Sequence, residues 1–495
     1  MDEFDRAKEL FLEGLKALEG QEFLLAEEKF LGSLKLLPNR VSTLINLAAT
    51  QIKLKKYSLA LESINQVLSI DQGSSEGWLN LGLIYSKQLQ YEQALGSFDK
   101  AIKINPGYAQ AYLNKANSLL ELKRHEEALD YLDQAIKLES NYAEAWYNKA
   151  NVLTELKRNH EALRNLDQAI MLESNYADAY WNRALLKLLI QDFQGGWEDY
   201  EYRWNRAGAE QYRYLHIPAL KTTTNLKNIK ILIWAEQGYG DTLQFSRYVA
   251  VLLEFGAELI FAVQPALKRL VAHSIPEVSV IAHDEVDAVY DFQLPLLSLP
   301  RLLELDLSSL SPTQPYIFPN PDKVGYWKDK LNLSKDKLNI GIACSGSLQV
   351  DLQNGNKRPI PLRMFTELMP RCNLFLIQKD LRDDDRVYLN ACPEITYLGD
   401  SIQNFDDSAA MVACMDMIIS IDTSLAHLAG AMGKKSFVLL PYLADWRWFE
   451  GTQECPWYKS LTLFRQLTQG DWSPVVRQVA KELHLLGSLE AKTIP

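Results

Sequence analysis

The N-terminal part of the chain repeats one pattern of apolar and polar positions at a constant spacing. Apolar residues return at helical spacing in two runs per copy, which predicts a helix–turn–helix unit. A small residue marks the position where the two helices of each unit must approach closely, and it is Ala26, Ala60, Ala94, Ala128, Ala162 and finally Gly196. The register defines six units, residues 5–38, 39–72, 73–106, 107–140, 141–174 and 175–208.

A 34-residue period is typical of tetratricopeptide repeats (TPRs), which stack into a superhelix because no single unit can bury its apolar face. The third unit carries the TPR residues at their consensus offsets: Trp78, Leu81, Gly82, Tyr85, Ala94, Phe98, Ala101 and Pro106. The sixth unit is degenerate, and its aromatic stretch 193–204 is unsuited to a solvated end. We expect this stretch to be buried against the next domain.

Asparagine also recurs once per unit from the second unit onward, forming a ladder of Asn46, Asn80, Asn114, Asn148 and Asn182. One interpretation is structural: the carboxamides link neighbouring helices by local hydrogen bonds. The other is that they bind the backbone of an extended peptide, since each offers donors and an acceptor. The ladder resembles that of the TPR superhelix of O-GlcNAc transferase, over units two to six only. Both interpretations stay open, and the second predicts a polypeptide partner.

After the repeats the pattern changes to short apolar runs alternating with helices, which predicts a doubly wound α/β region. Strands are expected at 229–234, 259–263, 339–344, 374–378, 417–421 and 436–440, and helices at 241–254, 362–369, 407–415 and 424–432. The predicted domains are the repeats (1–208), a linker (209–228), two Rossmann-like halves (229–320 and 338–495) and a connector (321–337). Ligands in such folds bind at the carboxyl ends of the strands.

Composition narrows the possible functions. The net charge is −11 and neither half of the chain is basic, which argues against nucleic-acid binding. The acidic, amphipathic start and the lack of a long apolar run predict a cytoplasmic protein without a membrane span. The five cysteines lack close pairs, so buried free thiols are expected, and the seven scattered histidines disfavour a zinc site.

Two strand-to-helix turns carry candidate chemistry. Gly238-x-Gly240 lacks the third glycine of a dinucleotide-binding fingerprint. Asp241 follows directly, and its carboxylate would lie beside the pyrophosphate of a bound dinucleotide. Both features disfavour a nicotinamide dehydrogenase. Asp422-Thr-Ser424 follows an apolar strand and opens a helix, whose N–H groups are suited to a diphosphate. Simple helix capping is the alternative. Capping does not explain His427, one turn into the same helix, although a histidine packed into the core remains an alternative.

These turns resemble those of the ADP-heptose lipopolysaccharide heptosyltransferases, and three further stretches are similar: Arg358-Pro-Ile-Pro-Leu, Leu376-Ile-Gln-Lys379 and Asp445-Trp-Arg-Trp448. The region from about 229 to 485 also resembles bacterial proteins that join TPR repeats to such a domain. The resemblance implies a GT-B fold and an inverting, metal-independent glycosyltransferase. Its first half would hold the acceptor and its second half the nucleotide sugar.

By this resemblance Asp241 is the general base that deprotonates the acceptor hydroxyl. The competing account is that Asp241 only caps its helix. The implied donor-binding residues are Lys357, Arg358, Gln378, Lys379, Asp422, Thr423, Ser424, His427 and Trp446. The indole of Trp446 either stacks on a base or sugar or packs into the core. The nucleotide sugar is a co-substrate, and no cofactor or metal is implied. Asp383-Asp-Asp385 is interpreted as a solvated charge cluster rather than a metal site.

The sequence thus predicts a glycosyltransferase that acts on a hydroxyl group, and the favoured acceptor is a protein held by the repeats. Two alternatives remain. In one, the chain is a TPR adaptor whose transferase fold binds a nucleotide or glycan without turnover. In the other, the enzyme modifies a small glycan and uses the repeats only for assembly.

Overall fold

The structure is a computed structural model that describes residues 2–209, 212–236, 238–286, 289–310, 314–347, 358–370 and 372–490. The chain forms two compact units, residues 1–183 and 184–495. The first is entirely helical where described, and the second contains two parallel sheets with helices. This confirms an all-helical repeat region followed by an α/β region.

The six predicted repeats are six helix pairs. The twelve helices are α1 Glu3–Glu19, α2 Phe23–Leu36, α3 Val41–Lys53, α4 Tyr57–Ile70, α5 Ser75–Lys87, α6 Tyr91–Ile104, α7 Ala109–Glu121, α8 His125–Leu138, α9 Ala143–Glu155, α10 Asn159–Leu172, α11 Ala177–Leu189 and α12 Phe193–Tyr200. The boundary between the compact units falls inside α11. The sixth repeat is therefore divided, whereas the sequence prediction kept residues 175–208 with the repeats.

The turn inside each repeat has the same backbone conformation although no glycine occupies it. A residue with positive φ recurs once per repeat: Gln21, Lys55, Leu89, Lys123, Lys157 and Gln191, with φ between 57° and 70°. The following N–H reaches back into the helix, as in Lys56 N to Gln51 O at 2.8 Å. This is a Schellman ending, in which satisfied carbonyls offset the left-handed conformation.

The small residue that recurs in each repeat lies where the two helices of the repeat pack closely, as expected. Ala26, Ala60, Ala94, Ala128 and Ala162 are fully buried. A Cβ atom added to Gly196 would come within 2.7 Å of Leu188, so the close approach extends to the sixth repeat. Larger side chains at these positions would force the paired helices apart.

In its described residues, the second unit contains ten strands in two parallel sheets. Their bounds are β1 Lys230–Trp234, β2 Glu258–Val263, β3 Ser279–Ala282, β4 Phe292–Pro295, β5 Leu338–Ala343, β6 Cys372–Leu376, β7 Ile395–Tyr397, β8 Met417–Ile421, β9 Ser436–Leu440 and β10 Leu461–Arg465. The orders are β3-β2-β1-β4 and β10-β9-β8-β5-β6-β7. In each sheet the first strand lies inside the order, because the chain winds outward on both sides of it.

Helices separate the strands. The α-helices span Tyr239–Phe245, Lys268–Ser274, Leu299–Leu302, Leu307–Leu310, Pro321–Lys330, Asp383–Ala391, Phe405–Cys414, Ser424–Ala431 and Ser473–Glu490, and 3₁₀ segments span Glu201–Asn205, Ser246–Tyr248, Ala250–Phe255, His283–Glu285, Leu296–Ser298, Leu362–Leu368, Gly399–Ser401 and Trp446–Trp448. The expected helix 241–254 is thus one short α-helix followed by 3₁₀ turns, and it ends at Gly256 with φ 80°.

The aromatic end of the sixth repeat is buried within the second unit, as expected. Trp197 is 1% exposed, and its Nε1 donates to Leu305 O at 3.1 Å. Its ring meets that of Trp446 edge to face, with centroids 5.4 Å apart. The five cysteines are buried free thiols, which confirms that prediction.

Candidate functional site

The turn after β1 places Asp241 in the first turn of the helix Tyr239–Phe245. The N-cap residue is Gly238, two positions before Gly240, so Asp241 does not cap the helix. A Cβ atom on Gly238 would lie 2.4 Å from Asp241 Oδ2. A side chain at position 238 would therefore push the Asp241 carboxylate out of this position.

The turn after β8 opens the helix Ser424–Ala431. Thr423 is the N-cap residue, but its side chain makes no capping hydrogen bond. Its hydroxyl instead pairs with Ser420 Oγ at 3.0 Å. Helix capping therefore does not account for Thr423, and the N-terminal N–H groups of this helix are not used by its side chain.

The two turns meet, although one belongs to each sheet. A Cβ atom on Gly240 would lie 2.9 Å from His427 Cδ2, so glycine allows the helices to touch. Asp241 and the start of the helix Ser424–Ala431 thus belong to one site, lined by the carboxyl ends of β1 and β8. Open parallel sheets commonly bind ligands at such strand ends.

Arg447, from the segment after β9, joins the two turns. Its Nη2 lies 2.6 Å from Asp241 Oδ1 and its Nη1 lies 2.8 Å from Asp445 Oδ1, while its Nε donates to Gln244 Oε1 at 3.1 Å. The Arg447 side chain is 11% exposed and that of Asp241 is 27% exposed. The guanidinium is therefore largely enclosed, whereas the carboxylate is still reached by solvent.

The environment raises the pKa of two acidic residues of the site, Asp241 and Asp422. Burial raises the pKa of Asp241, and the attraction of Arg447 only partly opposes this. Burial, with repulsion from Asp445, raises the pKa of Asp422 to about 6. Arg358 lies 4.0 Å from Asp422 Oδ2 and partly compensates this charge. A carboxylate with a raised pKa is a stronger base than an exposed one.

His427 is a core residue of the site. It is 4% exposed, its Nδ1 lies 3.0 Å from Tyr458 Oη, and its ring stacks on that of Trp448 at 5.2 Å. Burial lowers the pKa of His427 to about 3, so the ring is neutral at physiological pH. Its position holds the two turns together, which explains a histidine on this helix through packing.

Two predicted donor-binding residues have other roles in the structure. Gln378 Oε1 accepts from the N–H groups of Cys344 (2.7 Å) and Ser345 (3.2 Å). Its Nε2 donates to Ser345 Oγ and Asp380 O, both at 2.8 Å. The carboxamide is saturated and positions the end of β5. Trp446 is 4% exposed and lies among Trp197, Trp457 and Arg447, which favours core packing, one of the two interpretations of its indole.

The remaining predicted residues are more scattered. Lys379 is exposed, and Arg358 is half-buried beside Asp422. Lys357 lies outside the described residues. In the acidic cluster only Asp383 and Asp384 are exposed.

Asp385 is buried, which contradicts the interpretation of Asp383-Asp-Asp385 as a solvated cluster. It is 3% exposed, accepts from Leu362 N at 2.8 Å and pairs with Arg382. In the described parts of the chain, no group of three or more His, Cys, Asp or Glu side chains could hold a metal ion.

Sequence reasoning placed Arg447 over the predicted cleft but gave it no chemical role. The signal was present, because Asp445-Trp-Arg-Trp448 is one of the similar stretches, but only the indole of Trp446 was assigned a role. Sequence reasoning named Glu236, which follows β1, only as the next carboxylate to test as the base. Glu236 forms a two-pronged ion pair with Arg203, at 2.9 and 3.0 Å, and accepts from Leu297 N at 3.2 Å.

The asparagine ladder is divided between two kinds of contact. Asn46 and Asn114 each donate at 2.8 Å to a carbonyl four residues earlier in their own helix, and Asn80 is buried. Asn148 donates to Asn117 Oδ1 at 3.0 Å, and Asn182 donates to Asn151 Oδ1 at 2.8 Å and to Tyr147 Oη at 3.2 Å. Part of the ladder therefore links repeats, and its peptide-binding role stays a prediction.

No helix in the described ranges is both long and apolar enough to cross a membrane. Two profiles of the tetratricopeptide repeat family match residues 79–143 and 143–176. Protein FlbA of Caulobacter vibrioides is 25% identical over 328 residues, which cover 61% of this chain and 54% of FlbA. The chain thus matches about half the length of that relative. A match of this extent is longer than residues 1–208, so it reaches into the α/β region.

Solved structures of other TPR proteins are also similar to this chain. A thermophilic TPR protein of Thermus thermophilus is 24% identical, with 37% of this chain and 99% of that chain covered and a TM-score of 0.34. A TPR protein of Parabacteroides merdae is 19% identical, with 42% and 81% covered and a TM-score of 0.34. The profile matches and the helix pairs show that the N-terminal region of this chain consists of tetratricopeptide repeats, which are protein-interaction modules.

Proposed function

We propose that the α/β unit is a glycosyltransferase that moves a sugar from a nucleotide-sugar donor to a hydroxyl group of a polypeptide bound by the repeats. The observation that carries this proposal is the meeting of three groups in one compact unit. They are the carboxylate of Asp241 after β1, the guanidinium of Arg447 2.6 Å from it, and the helix that starts after Thr423 without a side-chain cap. The similarity to heptosyltransferases at both turns supports the same assignment.

The chemistry of sugar transfer needs a base and stabilisation of the leaving group. The acceptor oxygen attacks the anomeric carbon and forms the new glycosidic bond, while the bond from that carbon to the diphosphate oxygen breaks. The electron pair leaves with the nucleoside diphosphate, and the proton of the hydroxyl passes to Asp241. Because Arg447 occupies Oδ1, Oδ2 is the oxygen available to take that proton. A positioned base contributes about 10²–10⁴-fold to such a rate.

The negative charge of the departing diphosphate requires donors or cations. The N–H groups at the start of the helix Ser424–Ala431 and the guanidinium of Arg358 lie around Asp422 and supply both. No metal ion is needed in this arrangement. Asp422 itself would repel a phosphate when ionised. Its raised pKa of about 6 lessens this repulsion only on the acidic side of neutrality.

The acceptor class rests on the repeats. TPR arrays bind peptides and proteins, and a polypeptide hydroxyl is the acceptor that such an array could deliver. A second candidate, the adaptor without turnover, predicts nucleotide binding but no transfer. The two candidates therefore differ in whether the bound sugar is transferred, which can be measured.

The test uses the full-length protein and a panel of nucleotide sugars. A donor at 100 times its dissociation constant stabilises the protein by about 2.7 kcal/mol, which a thermal melt detects. Donor hydrolysis is then followed by release of the nucleoside diphosphate. We expect one donor to stabilise the protein and to be hydrolysed slowly, with no loss of either property after treatment with a divalent chelator.

The decisive variant is Asp241→Asn, with the exposed Asp383→Asn as the matched control. Asparagine keeps the shape of Asp241 but cannot accept the proton, so donor binding should survive while turnover falls about 10²–10⁴-fold. Asp383→Asn should turn over at the parental rate. Stabilisation without any hydrolysis by the parent would favour the adaptor. Parental turnover by Asp241→Asn would remove Asp241 as the base, and a loss of donor binding on chelation would reopen the metal-dependent route.

A further inference from the structure

An arginine from the last part of the sixth repeat, Arg203, contacts the first sheet inside the second unit. It is 7% exposed, and its Nε and Nη2 donate to the two carboxylate oxygens of Glu236 at 3.0 and 2.9 Å. Nη2 also donates to Ser298 Oγ at 2.9 Å, and Nη1 donates to Tyr200 O at 3.2 Å and to Glu201 Oε1 at 3.0 Å. Each N–H group of the guanidinium therefore has an acceptor.

The contacts of Arg203 lie at the carboxyl ends of neighbouring strands. Glu236 follows β1, and Ser298 follows β4, which pairs with β1. The carboxylate of Glu236 also accepts from Leu297 N at 3.2 Å, and its carbonyl accepts at 2.6 Å from Gln264, which follows β2. Because β2, β1 and β4 are adjacent in the sheet, Arg203 connects the ends of three strands.

One further hydrogen bond extends these contacts to the turn that carries Asp241. The hydroxyl of Thr242, the next residue, donates to Gln264 Oε1 at 3.0 Å and lies 3.2 Å from the carbonyl of the N-cap residue Gly238. The side chains of Thr242 and Gln264 are both buried. The series of contacts that begins at Arg203 therefore ends beside Asp241.

Stability alone does not explain a buried arginine at this place. Taking a guanidinium out of water costs free energy, and apolar residues of similar volume often replace a buried ion pair without loss of stability. A planar guanidinium, however, fixes the direction of a carboxylate through two parallel hydrogen bonds, which an apolar side chain cannot do. The pairing of Arg203 with Glu236 therefore serves the geometry of the strand ends.

Arg203 also acts on Asp241 through its charge. Burial raises the pKa of Asp241, Arg447 opposes this rise most strongly, and Arg203 opposes it as well. Loss of Arg203 would therefore raise the pKa of Asp241 further. This effect supplies a measurable signature in addition to the geometric one.

We propose that Arg203 is a positioning residue of the site, which holds the turn between β1 and the helix Tyr239–Phe245 in the orientation that presents Asp241. The last part of the sixth repeat is then a component of the transferase site. This rests on the proposed function in one respect, the role of Asp241 as the base. The geometric claim about the turn can be tested without turnover.

The first experiment measures amide hydrogen exchange of the full-length protein by mass spectrometry. Arg203→Met removes the guanidinium and keeps much of the aliphatic volume. We expect the helix Tyr239–Phe245 to exchange about tenfold faster or more, because breaking a buried ion pair releases the elements that it joins. The helix Asp383–Ala391, beside the other sheet, is the internal reference and should exchange within about twofold of its parental rate. Equal acceleration of both helices would reduce Arg203 to general stability and refute the proposal.

Two further variants sharpen this comparison. Lys187→Met breaks another ion pair of the sixth repeat, with Asp199 at 2.8 Å, and should leave exchange of the helix Tyr239–Phe245 within about twofold. Arg203→Lys retains a charge but not the two-pronged contact, so it should also accelerate exchange of that helix, and it serves if Arg203→Met does not fold. Parental exchange of the helix in the folded Arg203 variants would overturn the proposal.

The second experiment compares turnover of a nucleotide sugar that the parent hydrolyses. Arg203→Met should lower kcat about tenfold while KM for the donor stays within about twofold, since the base is displaced but the donor seat is not. The acidic limb of the pH profile should move to higher pH, because the pKa of Asp241 rises. In the Asp241→Asn background, Arg203→Met should cause no further fall.

The outcomes separate this proposal from the proposed function. A parent that hydrolyses no nucleotide sugar would refute the proposed function, and the exchange measurement would still decide whether Arg203 holds the turn. Parental turnover by Arg203→Met in an active enzyme would leave the proposed function in place and refute the positioning role. An equal fall in the parental and Asp241→Asn backgrounds would also refute it, because the effect would then not pass through Asp241.

Discussion

Replacing Arg447 by methionine tests whether the ion pair with Asp241 is the connection that the site depends on. Methionine retains much of the aliphatic volume of arginine but leaves the Asp241 carboxylate without its partner at 2.6 Å. It also leaves Asp445, which Arg447 contacts at 2.8 Å, facing Asp241 without an intervening cation. The expected result is a loss of stability that depends on pH.

The magnitude follows from the burial of the pair. Unit charges about 4 Å apart interact by about 4 kcal/mol at an effective dielectric constant of 20, and breaking a buried pair costs about 3–5 kcal/mol. The Asp241 side chain is 27% exposed, so water screens part of this. A loss of about 2–3 kcal/mol is therefore expected at neutral pH. This corresponds to a melting temperature lower by roughly 5 °C or more.

The dependence on pH has a definite sign. Burial raises the folded-state pKa of Asp241 above its unfolded value, so the protonated form is favoured in the fold. Stability linked to this residue is greatest below the unfolded pKa and declines as pH rises through the folded pKa. Because Arg447 lowers that pKa, its removal raises it further. The deficit of Arg447→Met should therefore be largest at neutral pH and should shrink on acidification towards pH 4.

Melting curves followed by tryptophan fluorescence measure the effect, because most tryptophans lie in the second unit. Arg363→Met, at an exposed position, is the control and should melt like the parent. Adding Asp241→Asn to Arg447→Met removes the unpaired charge and should recover about 1–2 kcal/mol of the loss. The reasoning fails if Arg447→Met melts at the parental temperature, or if its deficit is the same at pH 5 and pH 8.

Three further predictions concern the helix start, Asp422 and the ladder. Ser424→Pro removes an N–H at the first helical position, where proline is tolerated, so it should weaken donor binding without unfolding the protein. Ser424→Ala keeps the N–H and should bind the donor normally. Equal donor affinity of the two variants in a binding titration would exclude that N–H from the donor site. Burial raises the pKa of Asp422 to about 6, so the stability linked to this residue is lost as pH rises from about 4 through 6. Asp422→Asn should therefore melt at a higher temperature than the parent at pH 8 but not at pH 4, which thermal melts at the two pH values measure. Asn182→Ala, which loses two contacts with the preceding repeat, should destabilise the repeats by about 1–3 kcal/mol, more than Asn46→Ala in the same denaturation assay.

The repeats were predictable because their signal is redundant. Five buried alanines at one spacing fix the register, and an error in one repeat would be exposed by the next. Strands β8 and β9 were also predicted with their observed bounds, since both are fully buried apolar runs. Strands β3, β4, β7 and β10 were missed. All four lie at the edges of their sheets, and β3, β4 and β7 have only three or four residues. Strands β3 and β7 also have exposed or half-buried positions, so their apolar pattern is weak.

The site was predictable only in part. The turns at Asp241 and Ser424 follow from strand-to-helix patterns, which are local. The contact between Asp241 and Arg447 joins residues 206 positions apart and depends on how the two sheets pack. The core position of Trp446 has a similar cause, because Trp197, far earlier in the chain, fills the space beside it. No local pattern encodes such a pairing.

Two carboxylates follow β1, Glu236 and Asp241, and each pairs with a buried arginine. Their exposure distinguishes the structural carboxylate from the functional candidate. Arg203 pairs with Glu201 and Glu236, and the Glu236 side chain is 10% exposed and also receives Leu297 N. Its oxygens are fully engaged, as in an ion pair that fixes local geometry. Asp241 is 27% exposed and contacts Arg447 through one oxygen only. Burial raises the pKa of both carboxylates that follow β1, so exposure distinguishes them: the Asp241 side chain is the more accessible of the two, which favours it over Glu236 as the proposed base.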